Sequence, residues 1–446
     1  MNYDYKEIEK VCIGQFEANS ELFKTTVKDN IEKNRKGKKT VTVKDKNGMP
    51  LSGVKVKASL KNHEFKHGAH LFMLDQFETD QENEKYRSLF SQYFNLATIP
   101  FYWEGLEPVQ GKPRYASDSS NVYRRPAPDL CLDYCHEKGI DAKIHCLFYD
   151  KFIPDWLPKD NAEEMKKLYE KRFIEIAERY GNRDMYEVEV INEVLSTPKW
   201  KTNSVISTAR DSVEWSFGLA EKYFQNDVLM INDGSYIPKI GELTYRHPYY
   251  LLVDAALAKG VRIDKIGIQN HIYMGMWDDQ KIQDAAHFYD PVAILKGLEV
   301  MSEFGKPLEI TEISLPTFGE GNEAENVQAE VVKYLYTLWF SSKNLESVVY
   351  WNSVEKTAYS GPNWDENKLN AGLFHRDLTP KKSAEMLKKL FKQEWHTEIE
   401  LISDEKGRIS FDGFHGDYDV QVLNGRAESK SVRLYKESPQ GAIVNE

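Results

Sequence analysis

The chain has 446 residues, 41% of them hydrophobic and 29% charged, enough for a large core with an appendage. Its formal net charge of −11 argues against a duplex nucleic acid partner, which needs a concentrated positive face, and makes a neutral ligand easier to accommodate than an acidic polymer. No run of about 18 apolar residues offers a membrane span.

The opening Met1 to Glu7 has neither the basic nor the apolar region of a signal peptide. The expectation is therefore a cytoplasmic protein, or a secreted one if a leader has been removed. Residues 4–36 read as helical, with Ile8, Val11, Phe16, Leu22, Val27 and Ile31 as packing positions. Val41 to Val43 and Val54 to Val56 then alternate around a turn containing Asn47-Gly48, the pattern of a β-hairpin.

From Phe65 the chain settles into a strand–helix alternation. The expected strands are 65–72, 96–101, 142–147, 187–192, 228–231, 265–269, 308–312 and 347–351. The expected helices are 80–94, 127–138, 162–180, 207–224, 247–259, 291–304, 325–341 and 381–391. Several strands are continuous apolar runs such as Val348-Val349-Tyr350-Trp351, as in parallel strands covered on both faces. Eight such units point to an α/β fold, a (β/α)8 TIM barrel. A doubly wound sheet is the alternative, but no Gly-x-Gly-x-x-Gly follows a strand.

After Trp395 the rhythm stops. Ile399 to Ile402, Arg408 to Phe411, Tyr418 to Val422 and Ser431 to Leu434 read as a small antiparallel β module, too small to bury much core alone. The N-terminal hairpin is expected to join it. The expected division is 1–60 for the N-terminal helix and hairpin, 61–395 for the barrel and 396–446 for the β module. Aromatics Phe411, Phe414 and Tyr418 are read as the module's own core. The four cysteines, Cys12, Cys131, Cys135 and Cys146, are too few for a disulfide scaffold and lack convergent partners for a metal, so they are expected to be buried thiols.

In a barrel the C-terminal strand ends share one rim, where the chemistry sits. Here that rim collects His145, Asn192-Glu193, Asn232-Asp233, Gln269-Asn270-His271, Glu312 and Trp351. Glu193 and Glu312 end the fourth and seventh strands, nearly opposite in a ring of eight, and can face each other across one cleft. Two carboxylates with amides, imidazoles and a Trp form an inventory for cleaving glycosides: one acid protonates the leaving oxygen while the other attacks the anomeric carbon or activates water. Glu187 and Glu189 are expected inside the barrel, salt-bridged or hydrogen-bonded, and Glu309 on the other strand face. His63, His67 and His70 gather near the start of the first strand, where ordinary histidines are expected rather than a zinc site.

These motifs, in this order, resemble those of glycoside hydrolase family 10, the endo-β-1,4-xylanase family of the 4/7 hydrolase superfamily. Asn192-Glu193 looks like its acid/base motif, with Glu189 at the position of its strand acid. Ile310-Thr311-Glu312-Ile313 looks like its nucleophile motif, and Gly267 to His271 like the segment flanking the nucleophile. Ile144 to Tyr149 with Pro154 and Trp156, Asn232-Asp233, and Trp351 are similar to its strand 3, 5 and 8 motifs. The resemblance implies Glu193 as acid/base and Glu312 as nucleophile. It implies Asn192 on a glycone 2-hydroxyl, His271 orienting Glu312, and His145 and Gln269 lining the reacting sugar's site. It implies no metal and no organic cofactor.

The departures lie in the second and third strand loops. Where the family has a Glu-Asn pair and a Lys, this chain has Thr98, Ile99 and Tyr102, anchored on Trp103 and Glu107-Pro108. Where the family has Trp-His-Ser-Gln, it has Tyr149-Asp150-Lys151-Phe152. Recognition is therefore expected to shift toward aromatic contacts from Phe101, Tyr102, Trp103, Tyr149 and Phe152, with Asn232 and Trp351 completing the sugar site. The expected substrate is a neutral oligo- or polysaccharide, xylan or xylo-oligosaccharide. The alternatives are another or a decorated β-glycoside, or a barrel that binds carbohydrate without cleaving it.

Overall fold

The computed structural model describes residues 4–181, 185–276, 280–423 and 429–445; residues 1–3 of the N-terminal segment, and 424–428 and 446 of the terminal module, lie outside it. The predicted N-terminal helix is present in pieces: Tyr5–Ala18, capped by the Asp4 side chain, then Ser20–Leu22, a π-turn at Phe23–Val27, and Lys28–Arg35. It packs along the barrel, where Phe16 stacks on Tyr334 at 4.8 Å.

Strands β1 (Lys36–Asp45) and β2 (Lys55–His63) follow. The barrel comprises β3 (Lys66–His70), β4 (Leu96–Pro100), β5 (Asp141–His145), β6 (Glu187–Asn192), β7 (Leu229–Gly234), β8 (Lys265–Gln269), β9 (Leu308–Ile313) and β10 (Leu345–Tyr350). All are parallel, and β10 pairs back with β3 to close the ring. Every residue of β3, β4, β6, β8 and β9 is buried, which is why these strands read as runs rather than alternations. Helix boundaries follow their sequence signals. Thr79 and Glu82 form a capping box on Asp80–Tyr93, Asn161 caps Ala162–Tyr180, and Gly139, at φ 64°, ends Pro128–Lys138. The expected helix 207–224 shortens to Ser212–Tyr223, and Trp103–Leu106 and Ile237–Leu243 add short helices that the periodicity did not show.

A two-stranded ribbon, β11 (Ser360–Gly361) and β12 (Trp364–Asp365), projects after β10. The terminal strands are β13 (Glu398–Ile402), β14 (Arg408–Phe414), β15 (Gly416–Val422), β16 (Lys430–Leu434) and β17 (Gln440–Asn445). Here the hairpin expectation is corrected. The turn exists, with Gly48 at φ 83° and its N–H donating to the Asp45 carbonyl at 2.9 Å, but β1 and β2 do not pair. β1 lies between β14 and β17, whereas β2 lies between β13 and β15 with β16 beyond. The alternation that suggested a hairpin instead buries Val41 and Val43 of one sheet, and Val56, Ala58 and Leu60 of the other, in a shared sandwich core. Phe411, Phe414 and Tyr418 are buried in that core.

The module is tied to the barrel by buried polar groups and rings. Arg35 donates to the carbonyls of Phe340, Ser342 and Leu345 at 2.6 Å each. Asn34 donates to Ser341, and Trp395 stacks on Phe340 at 4.1 Å. All four cysteines are buried free thiols. Among the described residues no helix is long and apolar enough to cross a membrane.

Candidate active site

Strands β6 and β9 share a feature that alternation alone would not supply. On β6 the register against β7 shifts between Glu189 and Ile191. On β9 it shifts against β8 between Ile268 and Gln269, and against β10 between Val348 and Tyr350. Below the shifts Glu187, Glu189 and Glu309 point into the barrel, where Lys143 makes ion pairs with all three and Lys265 with Glu187 at 2.8 Å. Glu309, expected on the outer face, is therefore an interior group. Above the shifts Asn192, Glu193 and Glu312 reach the rim. Glu193 takes φ 53°, a conformation non-glycine residues rarely adopt and one that concentrates at functional sites.

The two rim carboxylates are linked by one amide. Gln269 Nε2 donates to Glu312 Oε1 at 3.1 Å and to Glu193 Oε1 at 3.4 Å. A single NH2 reaching both oxygens holds them within about 6.5 Å of each other, close to the spacing of about 5–5.5 Å typical of double displacement and at the lower limit for interposing a water. Asn232 Nδ2 also donates to Glu312 Oε1, at 3.2 Å, and His271 Nε2 lies 3.1 Å from Glu312 Oε2. His271 is itself anchored through Nδ1 to Ser314 Oγ at 3.0 Å.

The surroundings push the two acids in opposite directions. Burial raises Glu193, the charge of Glu312 adds to this, and Lys151 and hydrogen bonds from Tyr149 and Gln269 only partly offset them. Burial would raise Glu312 too, but the hydrogen bond from His271 and the positive charges of His145, His271 and Lys143 outweigh it and hold Glu312 below its ordinary value. The surroundings thus favour the protonated form of Glu193 and the ionised form of Glu312, the division that an acid and a nucleophile require.

Glu193 and Glu312 open into a cleft of about 800 Å³, which Asn192, Gln269, His271, Tyr149 and Trp351 also line. Asn192 accepts from both Gln269 and Asn232 through Oδ1, at 3.0 and 3.1 Å, leaving its NH2 for the cleft. His145 sits just behind the wall: its Nε2 lies 2.8 Å from Tyr102 Oη and its Nδ1 2.9 Å from Glu189. The Glu189 charge and hydrogen bond raise its pKa despite burial, which pulls the other way and is the largest influence.

Three expected sugar contacts lie elsewhere. Asn232 is fully buried beneath the carboxylates, bonded to Glu189, Asn192, Glu312 and Thr311. It orients the site rather than touching ligand. Gly267 makes this possible, because a Cβ there would meet Asn232 Oδ1 at 2.9 Å and Thr311 Cγ2 at 2.7 Å. Trp103 is buried between Trp156 and Tyr169, with its Nε1 donating to Glu107. Phe101 likewise packs inward on Tyr180. Asp233 accepts from the Leu195 N–H at 3.0 Å and fixes the loop after Glu193. The three histidines do not converge. His63 and His67 pack on Phe391, whereas His70, at the C-terminal end of β3, contacts Asn352 at 2.8 Å.

The rest of the cleft wall comes from loops that carry no periodic signal. Tyr236, Tyr273, Trp200 and Trp364 line it, together with Arg124, Arg125, Lys151 and Glu366. Tyr273 stacks beside His271 at 4.8 Å and meets Trp364 edge-on. A second cavity, of about 860 Å³, lies at the strand starts near Lys66, Asp141 and Tyr186, the end of a barrel that serves stability rather than chemistry.

Sequence comparison finds endo-1,4-beta-xylanase 3 of Arabidopsis thaliana, 24% identical over 353 residues, covering 77% of this chain and 41% of that protein. The anti-sigma-I factor RsgI6 of Acetivibrio thermocellus is 23% identical over 403 residues, covering 88% of this chain and 46% of that protein. The chain thus spans less than half the length of these relatives. The solved structure of xylanase 10B from Thermotoga petrophila in complex with xylobiose shares the fold, with a TM-score of 0.58 at 19% identity, covering 74% of this chain and 95% of that one. The model of glycosyl hydrolase family 10 matches residues 59–390, most of the chain and the whole of the barrel, and the chain belongs to that family.

Proposed function

We propose that this chain is a retaining glycoside hydrolase that cleaves β-1,4-xylosidic bonds in xylan or xylo-oligosaccharides. The observation that carries the reading is the Gln269 amide shared between two strand-end carboxylates whose surroundings favour opposite protonation states. In the first step Glu312 attacks the anomeric carbon, while Glu193 gives its proton to the departing glycosidic oxygen. In the second, Glu193, now ionised, takes a proton from water, and the resulting hydroxide opens the glycosyl ester and frees Glu312. Asn192 offers its NH2 to the hydroxyl beside the reacting carbon. His271 and Asn232 keep Glu312 ionised and aimed, and Trp351 presents a flat face to the sugar ring.

The test is turnover of xylo-oligosaccharides by Glu193→Gln and Glu312→Gln. Each is expected to lower kcat by at least about 10³-fold; near-normal turnover in either would remove that residue from the mechanism. A different or decorated β-glycoside is favoured as a second reading by one observation. Thr98 and Ile99 are fully buried, so the second strand loop brings Tyr102 to the cleft in place of polar contacts. A barrel that binds carbohydrate without cleaving is disfavoured, because both carboxylates and the groups that divide their protonation are in place.

A further inference from the structure

The cleft is not evenly charged. The loops after β4, β5 and β6 carry Arg125, Lys151 and Lys199 into its lining, in a chain whose net charge is −11. The guanidinium of Arg125 lies 4.3 Å from the Tyr102 ring centre and 5.3 Å from that of Phe152. Lys151 Nζ lies 5.6 Å from the same Phe152 ring and 5.7 Å from Trp200. The two cations thus flank one ring, and Tyr102, on which Arg125 rests, is bonded to His145 beside the carboxylates.

Arg125 and Lys151 have no direct ion-pair partner, although the charge of Lys151 reaches Glu193 and that of Glu104 reaches Arg125. Among the described residues no carboxylate lies within ion-pair distance of Arg125, Lys151 or Lys199, and Arg125 spends one N–H on the Arg124 carbonyl at 2.9 Å. Arg124, by contrast, is buried and committed to the Thr357 carbonyl and Asn352 Oδ1. Among the described residues the one carboxylate on the wall besides Glu193 and Glu312 is Glu366, which accepts from Asn352 and Trp364 at 2.6 and 3.1 Å. The ring faces stabilise part of the Arg125 charge, and the residue lines the cleft. Paired anionic oxygens, of a carboxylate or a sulfate ester, are the acceptors a guanidinium binds most strongly.

Resting on the reading that the cleft binds a glycan, we propose that this wall recognises an anionic substituent on the sugar chain, a carboxylate or a sulfate ester, through Arg125 with Lys151 beside it. The substrate class is then an acidic, branched or substituted glycan rather than a plain neutral one.

The test is calorimetric binding to full-length Glu193→Gln protein, which removes turnover. One ligand pair is a glucuronic-acid-branched xylo-oligosaccharide and the same compound with its carboxyl reduced to the alcohol; the other is a sulfated xylo-oligosaccharide and its desulfated form. The acidic member of at least one pair is expected to bind about tenfold tighter, about 1.4 kcal/mol, with the advantage shrinking as salt rises. Adding Arg125→Gln or Lys151→Gln, in proteins whose circular dichroism is unchanged, is expected to bring that ratio toward one. No preference in either pair, or a ratio that survives both substitutions, overturns the proposal. Wild-type turnover of an unbranched xylo-oligosaccharide is scored separately. Cleavage without anion preference sinks only this inference, and anion preference without cleavage sinks only the hydrolase reading.

Discussion

Glu193 and Glu312 are the same residue type placed on matching strand ends, and only their neighbours tell them apart. Because Glu312 is held low and Glu193 raised, activity should fall on the acid side as Glu312 takes up its proton and on the alkaline side as Glu193 loses its own. The pH profile of kcat/KM is therefore expected to be a bell. With an aryl glycoside whose phenol leaves unaided, Glu193→Gln should abolish the alkaline limb and keep the acid one; an alkaline limb persisting at the same pH would assign the acid elsewhere. These residues were legible in the sequence because each follows a buried apolar run, so chain position fixed rim position. Asn232 and Trp103 were misplaced because a strand end tells where a side chain starts, not whether it turns to ligand or core. Arg125 and Tyr273 stand in loops, where neither period applies, and Trp364 on a two-residue strand too short to show one.

Among the elements, β6 and β9 carry the site on paired irregularities. Both keep carboxylates inside the barrel below a register shift and present carboxylates at the rim above it, so strict alternation placed Glu309 on the wrong face. The interior acids depend on Lys143, itself fully buried. Lys143→Met is expected to cost about 3–5 kcal/mol, the usual penalty for leaving buried charge uncompensated. Denaturant unfolding checks this, and a loss under about 1 kcal/mol would mean the acids take up protons cheaply. The barrel strands are legible within a few residues because all are short, largely buried runs separated by helices. The hairpin misled because a two-residue period reports which side is buried, not which strand lies alongside.

On the scale of the molecule, the sandwich of terminal strands closes over the strand-start end of the barrel, and histidines sit along that seam and within the barrel. Burial lowers His63 and His70 to about 3, and His67 moves the same way. Between the ordinary histidine value of 6.5 and about 3 the unfolded chain therefore binds more protons than the folded one. The histidines' contribution to stability is full above 6.5 and falls on acidification, by about 1.4 kcal/mol per pH unit for each net proton. Asp233 and Glu187, raised to about 7 and about 8 chiefly by burial, act in the opposite sense, so the histidines have to be followed individually. The ring-proton NMR signals of His63 and His70 are thus expected not to titrate between pH 7 and 4, and a titration midpoint in that range would contradict the buried neutral histidines. The joint sandwich was legible only as a need, since neither terminal segment had enough core alone; which strand pairs with which depends on contacts some 370 residues apart, such as Thr42 with Arg408, that no local pattern records. Whether Glu193 and Glu312 act together by double displacement is decided by following the anomeric proton signals during xylohexaose cleavage by NMR. The β-anomer of the new reducing end is expected to appear first and then mutarotate; the α-anomer appearing first, or no cleavage, rules that mechanism out.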